Sequence, residues 1–214
     1  MGAMKTLGIL GAGNLGSQVA RAAVAAGLSV VIANARGPES LAELVAELGP
    51  AARAADPAEA AEAADLVILC TPLNAYPDLP ADQLAGKVLV DATNYYPEFF
   101  GAIPELDTRS ETTSEFLQSR LPRSIVIKGL NNLGAADLTT DGQPAGSADR
   151  RALAVAGDDQ DAKSQVVSLI DTLGFDVIDA GALSEGWRFE RDQPAYGTRR
   201  DADQMRTALS QATR

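Results

Sequence analysis

Glycines at positions 11, 13 and 16 sit in the stretch GILGAGNLGSQVARAAVAAG, after a short apolar run and before a run of good helix formers. At a strand-to-helix turn that spacing has a chemical use. The first glycine permits the tight turn, the second lets backbone approach a diphosphate, and the third lets helix pack closely on strand. Free amides at the helix start then meet the anion with a partial positive charge. Gly11, Gly13 and Gly16 are therefore candidate contacts to a dinucleotide. At the end of the second apolar run, where an NAD site usually carries an acid for the ribose 2'-hydroxyl, the chain reads IANARGPES. Asn34, Ala35 and Arg36 offer no carboxylate there. The planar donor fork of Arg36 suits a 2'-phosphate, which an acid would repel, so this edge favours NADP(H).

The chain has no histidine. That removes the commonest general base, the usual Ser and Cys triads and any histidine-based metal site, and no metal is expected. Hydride exchange between two flat rings mainly needs stacking and alignment, whereas alcohol dehydrogenation needs a group for the hydroxyl proton. The composition tilts toward the first, and no catalytic residue is assigned. Lys128, ending an apolar run, is readable as a proton donor or carboxylate anchor, or as a lysine snorkelling from a strand end. Cys70, within DLVILC, reads as a small buried hydrophobe. As the single cysteine it excludes an internal disulfide and agrees with a cytoplasmic protein.

These residues need elements to hold them. Continuous apolar runs at 6–11, 29–34, 65–72, 87–94 and 124–129 look like strands buried on both faces. Between them lie alanine-rich helical stretches. Ser40 with Glu43 reads as a capping box, and Asp56 as an N-cap with Pro57 at the first helical position. Strand and helix in alternation imply an α/β doubly wound, mostly parallel sheet. RALAVAG, a helix with Ala162, Val166, Leu169, Ile170 and Leu173 on one face, and FDVIDAG extend the sheet to about Gly181. The expected division is a Rossmann domain at 1–181 and an appendage at 182–214 with a helix over 201–212. At 214 residues with 46% apolar content the chain can bury a core. Its net charge of −11 argues against nucleic acid, and no run approaches the ~20 residues of a membrane span.

Aromatic residues are scarce but cluster. Tyr95, Tyr96, Phe99 and Phe100 form one group, and Trp187, Phe189 and Tyr196 the other. Two readings stand: the rings wall a pocket over a nicotinamide, or they pin the tail to the domain or to a second subunit. Tail rings left bare would expose an apolar patch, which predicts a homodimer contact from Ala182 onward.

The fingerprint, NARGPESL, DATN and KGLNNLG, in that order, resemble the family of coenzyme F-420-dependent NADP oxidoreductases over most of residues 5–181. The cytoplasmic domain of STEAP-type metalloreductases is similar. The resemblance implies a Rossmann domain, NADP at the glycine turn, hydride transfer to or from coenzyme F-420 or a flavin, and a homodimer. It places Gly11, Asn14, Leu15 and Gly16 along the diphosphate, and Arg36, in the Asn34 to Arg36 element, at the 2'-phosphate. Thr71, Pro72 and Asn94 would flank the nicotinamide. The family often has Ser or Thr where Ala35 stands, so one hydroxyl contact to the phosphate is missing. The alternatives are an NADPH-dependent reductase of a small carbonyl or imine and a non-catalytic NADP(H)-binding redox sensor.

Overall fold

A computed structural model describes residues 5–214, so the first four residues of the expected 1–181 domain lie outside the described residues. Eight strands form: β1 Thr6–Leu10, β2 Ser29–Ala33, β3 Ala52–Ala54, β4 Leu66–Leu69, β5 Val88–Asp91, β6 Ile125–Lys128, β7 Ala152–Val155 and β8 Asp176–Asp179. The helices are α1 Asn14–Ala25, α2 Ala42–Leu48, α3 Pro57–Ala63, α4 Ala81–Leu84, α5 Pro97–Phe100, α6 Pro104–Asp107, α7 Thr113–Arg120, α8 Asp137–Thr140, α9 Gln160–Thr172 and α10 Ala202–Ser210. The first six strands pair in parallel in the order β3-β2-β1-β4-β5-β6. Strand order therefore reverses between β1 and β4, the place where ligands bind in such sheets.

Alternate residues of each strand enter opposite cores. Leu7, Ile9, Val30, Ile32, Leu66 and Ile68 pack with Val19 of α1 and with Val166 and Ile170 of α9. Their neighbours Leu10, Val31, Val67 and Leu69 pack with Ala60 and Ala61 of α3 and with Phe116 and Leu117 of α7. Burial on both faces explains why the runs were continuous rather than alternating. Asp56 caps α3 as expected, accepting from the Glu59 amide at 2.9 Å.

Three local expectations change. β3 is only three residues, ARA, too short and too polar to stand out. Ser40 does not cap α2: a 3-10 turn over Pro38–Leu41 precedes that helix, and the hydroxyl donates to the Gly37 carbonyl at 2.7 Å. The large sheet ends at β6. β7 and β8 form a separate parallel pair, joined to β6 through an antiparallel bridge between Lys128 and Ala156. A parallel return usually runs through a crossover helix, and the connection after β6, residues 129–151, carries only the four-residue α8.

The segment after 181 lies on this small sheet. Phe189, Ala195, Met205 and Leu209 pack on Ala152, Ala154 and Ile178. Asp201 and Gln204 form a reciprocal capping box that starts α10. Phe189 is fully buried, and Trp187 and Tyr196 are half-buried against their own chain; Phe99 is the large apolar side chain left exposed.

Candidate functional site

The glycine turn has the geometry its spacing required. Gly11 has φ +105, and a β-carbon there would stand 2.5 Å from the Cys70 carbonyl oxygen on β4's outgoing chain. At Gly16 it would stand 1.8 Å from the Gly11 carbonyl oxygen. Protein backbone fills both places. Gly13 differs: nothing lies within 4 Å of its would-be β-carbon. It is the N-cap of α1, with no side-chain cap and no acid in the first turn. The Ser17 amide is the first to reach back along the helix, to Gly13 at 3.0 Å. Amides from Gly13 to Gly16 thus precede the hydrogen-bond ladder, and the turn opens to free space at Gly13.

The second edge lies beside this turn, because Gly11 donates its amide to the Ala33 carbonyl at 2.9 Å. Asn34 folds the following loop. Its Oδ1 accepts from the Arg36 amide at 2.9 Å, and its Nδ2 donates to the Ser40 hydroxyl at 2.9 Å. The Arg36 side chain is exposed, and no salt bridge among the described residues engages it. In an acidic chain, that leaves an exposed guanidinium unpaired among the described residues.

On the other flank of the turn, a cleft of about 310 Å³ opens at the ends of β4 and β5. It brings together Asn14 and Leu15 of α1 with Thr71, Pro72 and Asn94, all expected by resemblance. Asn34 and Arg36 lie outside it. The cleft also includes Tyr96, Phe100, Asn131 and Tyr196, which were not among the candidate contacts. Asn94 and Asn131 hold one another: Nδ2 of Asn94 donates to the Asn131 carbonyl at 3.0 Å, and Nδ2 of Asn131 returns to Oδ1 of Asn94 at 3.1 Å. Asn131 Nδ2 also donates to the Phe189 carbonyl at 3.0 Å. The only sequence signal for Asn131 was its place in KGLNNLG. Both readings of the aromatic clusters hold in part: Tyr96, Phe100 and Tyr196 wall the cleft, while Phe189 pins the tail.

Cys70 lines the cleft floor. Burial pushes its thiol up to about 12, with the Asp91 charge adding to the effect, so it stays a neutral thiol at ordinary pH.

Lys128 is fully buried and lies outside the cleft lining. Its ammonium donates to the Thr93 carbonyl at 2.6 Å and the Thr113 hydroxyl at 2.7 Å, with Asp91 Oδ2 at 3.4 Å and Glu190 Oε1 at 3.5 Å. Thr113 passes its own proton to Glu190. Asp91 is satisfied further by the Thr93 amide at 3.0 Å, the Thr93 hydroxyl at 2.6 Å and Ser114 Oγ at 2.5 Å. With the Thr93 proton committed to Asp91, Tyr76 is the donor in its 2.8 Å contact to Thr93 Oγ1. This network ties β5, β6, α7 and the tail together. Neither reading of Lys128 as proton donor or snorkelling side chain fits: it is an internal tie. Among the described residues no cluster of potential ligands could hold a metal ion, and no helix is long and apolar enough to cross a membrane.

A six-stranded parallel sheet with a glycine turn at its reversal point and a cleft beside it places the chain among Rossmann-fold NAD(P)-binding oxidoreductases. Comparison with known proteins narrows the class. Residues 6–95 match the family of NADP oxidoreductases, coenzyme F420-dependent. A provisionally assigned F420-dependent NADP-reductase of Arthrobacter sp. FB24 is 31% identical with a TM-score of 0.71, over 85% of this chain and 86% of that one. A hypothetical protein of Sinorhizobium meliloti, SMa0349, is 32% identical with a TM-score of 0.77, over 92% of this chain and 95% of that one. Rat metalloreductase STEAP3 is 30% identical over 187 residues, 86% of this chain but 35% of that protein. The chain spans about a third of the length of the curated metalloreductases it matches. It belongs to the coenzyme F420-dependent NADP oxidoreductase family, whose members are NADP-dependent oxidoreductases.

Proposed function

We propose that this chain binds NADP(H) across the glycine turn and moves a hydride between it and a small planar redox partner such as coenzyme F-420 or a flavin. The open space at Gly13, bounded by unladdered amides, is the observation that carries the reading. It is a cradle that a β-carbon would enter, whereas the spaces at Gly11 and Gly16 are already filled by the chain.

In this reading Gly11 and Gly16 shape the turn, and amides from Gly13 to Gly16 meet the diphosphate with Asn14 and Leu15 alongside. Arg36, directed by Asn34, takes the 2'-phosphate. Thr71, Pro72 and Asn94 border the nicotinamide, with the Asn94–Asn131 pair holding that wall in place. When bound, the dihydronicotinamide supplies the hydride. Leu15, Pro72 and the cleft aromatics exclude water and align the second ring. No base has to remove a substrate hydroxyl proton, which agrees with a site built without histidine.

Stopped-flow absorbance of NADPH with a panel of acceptors tests this. Rapid oxidation by a deazaflavin or flavin supports it. Turnover with small carbonyls or imines alone, or tight NADPH binding with no turnover, refutes it.

A further inference from the structure

Tyr96 lies just before α5, and Tyr196 follows it by 100 residues, yet their hydroxyls hydrogen-bond to each other inside the cleft. The Gly197 amide fixes this part of the tail by donating to the Asn132 carbonyl at 3.1 Å, and Asn132 Nδ2 donates to the Ala195 carbonyl at 3.3 Å. Counting protons gives the pair a use. Two hydroxyls carry two protons, and the bond between them uses one. Among the described residues neither oxygen has another hydrogen-bond partner. The second proton is left to whatever occupies the cleft. Cys70 is held as a thiol, Lys128 is sealed behind the wall, and there is no histidine.

We propose that the Tyr96–Tyr196 pair donates the proton that accompanies hydride transfer to a neutral conjugated acceptor. This rests on the NADP(H) reading above. In the balanced step the acceptor gains a hydride with its electron pair from NADPH and a proton from a tyrosine O–H. The acceptor is reduced by two electrons, NADPH becomes NADP+, and the phenolate regains its proton from solvent. Enclosure and the bond from Tyr96 push Tyr196 upward, so it is a donor and not a base across neutral pH. The charged groups around the pair are Arg191, whose guanidinium lies 5.0 Å from the Tyr96 ring centre, Glu98 paired with Arg191, and Asp192. Arg191 favours the transient phenolate, and Asp192 opposes it.

Two acceptors separate proton delivery from hydride delivery. Oxidised 5-deazariboflavin needs both, whereas N-methylacridinium, already a cation, needs the hydride alone. Tyr196→Phe and Tyr96→Phe should each slow 5-deazariboflavin reduction by about a hundredfold, while acridinium reduction changes by less than about threefold. The double variant should lose no more than either single one. Calorimetry on the cofactor-free protein should show 5-deazariboflavin binding weakened about three- to tenfold by Tyr196→Phe, from one lost hydrogen bond. Equal losses with both acceptors, or unchanged 5-deazariboflavin reduction, would overturn the proposal. Failure of the unmutated protein to oxidise NADPH with either acceptor would instead remove the NADP(H) reading, and the proposal with it.

Discussion

The sheet from β1 to β6 and the region from Lys128 onward are held together by different forces. In the first, alternating strand residues fill two apolar cores, and the cations Arg21, Arg53 and Arg123 make their ion pairs at the surface. In the second, Lys128, Arg150, Arg151 and Lys163 are all buried and paired with carboxylates. Arg150 alone binds Asp171 at 2.6 Å, Asp176 at 2.9 Å and three backbone carbonyls. Apolar layers suffice where regular elements stack. Short irregular connections leave buried carbonyls and acids, and buried cations satisfy them.

The sharpest way to break this contrast is at its boundary. Lys128→Met strands Asp91 in the interior without a cation and cuts the link through Thr113 to Glu190. A cost of about 3 to 5 kcal/mol is expected. Urea denaturation measures it, and hydrogen exchange should show the loss centred on residues 183–197. Even loss across β1 to β4 would contradict a tie local to the tail.

Within the first region two glycines should part company. Gly16→Ala drives a methyl into the Gly11 carbonyl and should cost about 3 kcal/mol of stability. Gly13→Val meets no protein atom and should cost no more than about 1 kcal/mol. It should nevertheless weaken NADPH binding more than tenfold by occupying the diphosphate's place. Unchanged affinity in a folded Gly13→Val protein would refute the assignment of the turn.

The same division decides what the sequence could tell. Apolar runs, the Asp56 cap and the glycine spacing are local signals, so seven of the eight strands and the glycine turn were readable in place. Arg36 was singled out because the missing acid beside it has a direct chemical meaning. β3 carried too few residues to register, and the split after β6 depended on a connection that lacks a crossover helix of useful length. Both aromatic clusters were visible, but no local pattern pairs Tyr96 with Tyr196 across 100 residues. Nor could Lys128 be told from a ligand-facing lysine, since only packing encloses it.

The smallest expected effect lies at the start of β1. Amides of Lys5 and Thr6 hold the Asp65 carboxyl below its ordinary value. A depressed folded value stabilises the protein above about pH 4, and that contribution is lost as pH falls through the lower folded value. The group is exposed, so solvent reduces the effect. Asp65→Asn should slightly flatten the acid limb of stability against pH and leave neutral NADPH binding unchanged. A steeper acid limb would contradict the sign.

The turn and the neighbouring Arg36 edge together should bind NADP(H) in preference to NAD(H). Calorimetric titration of the unmutated protein with NADPH and NADH tests it most directly. A bidentate guanidinium on the 2'-phosphate contributes about 1.5 to 3 kcal/mol, or a tenfold to hundredfold preference. Because Ala35 brings no hydroxyl, NADPH should bind about tenfold tighter, and Arg36→Glu should erase or reverse the difference. NADH bound as tightly as NADPH by the unmutated protein would contradict the account.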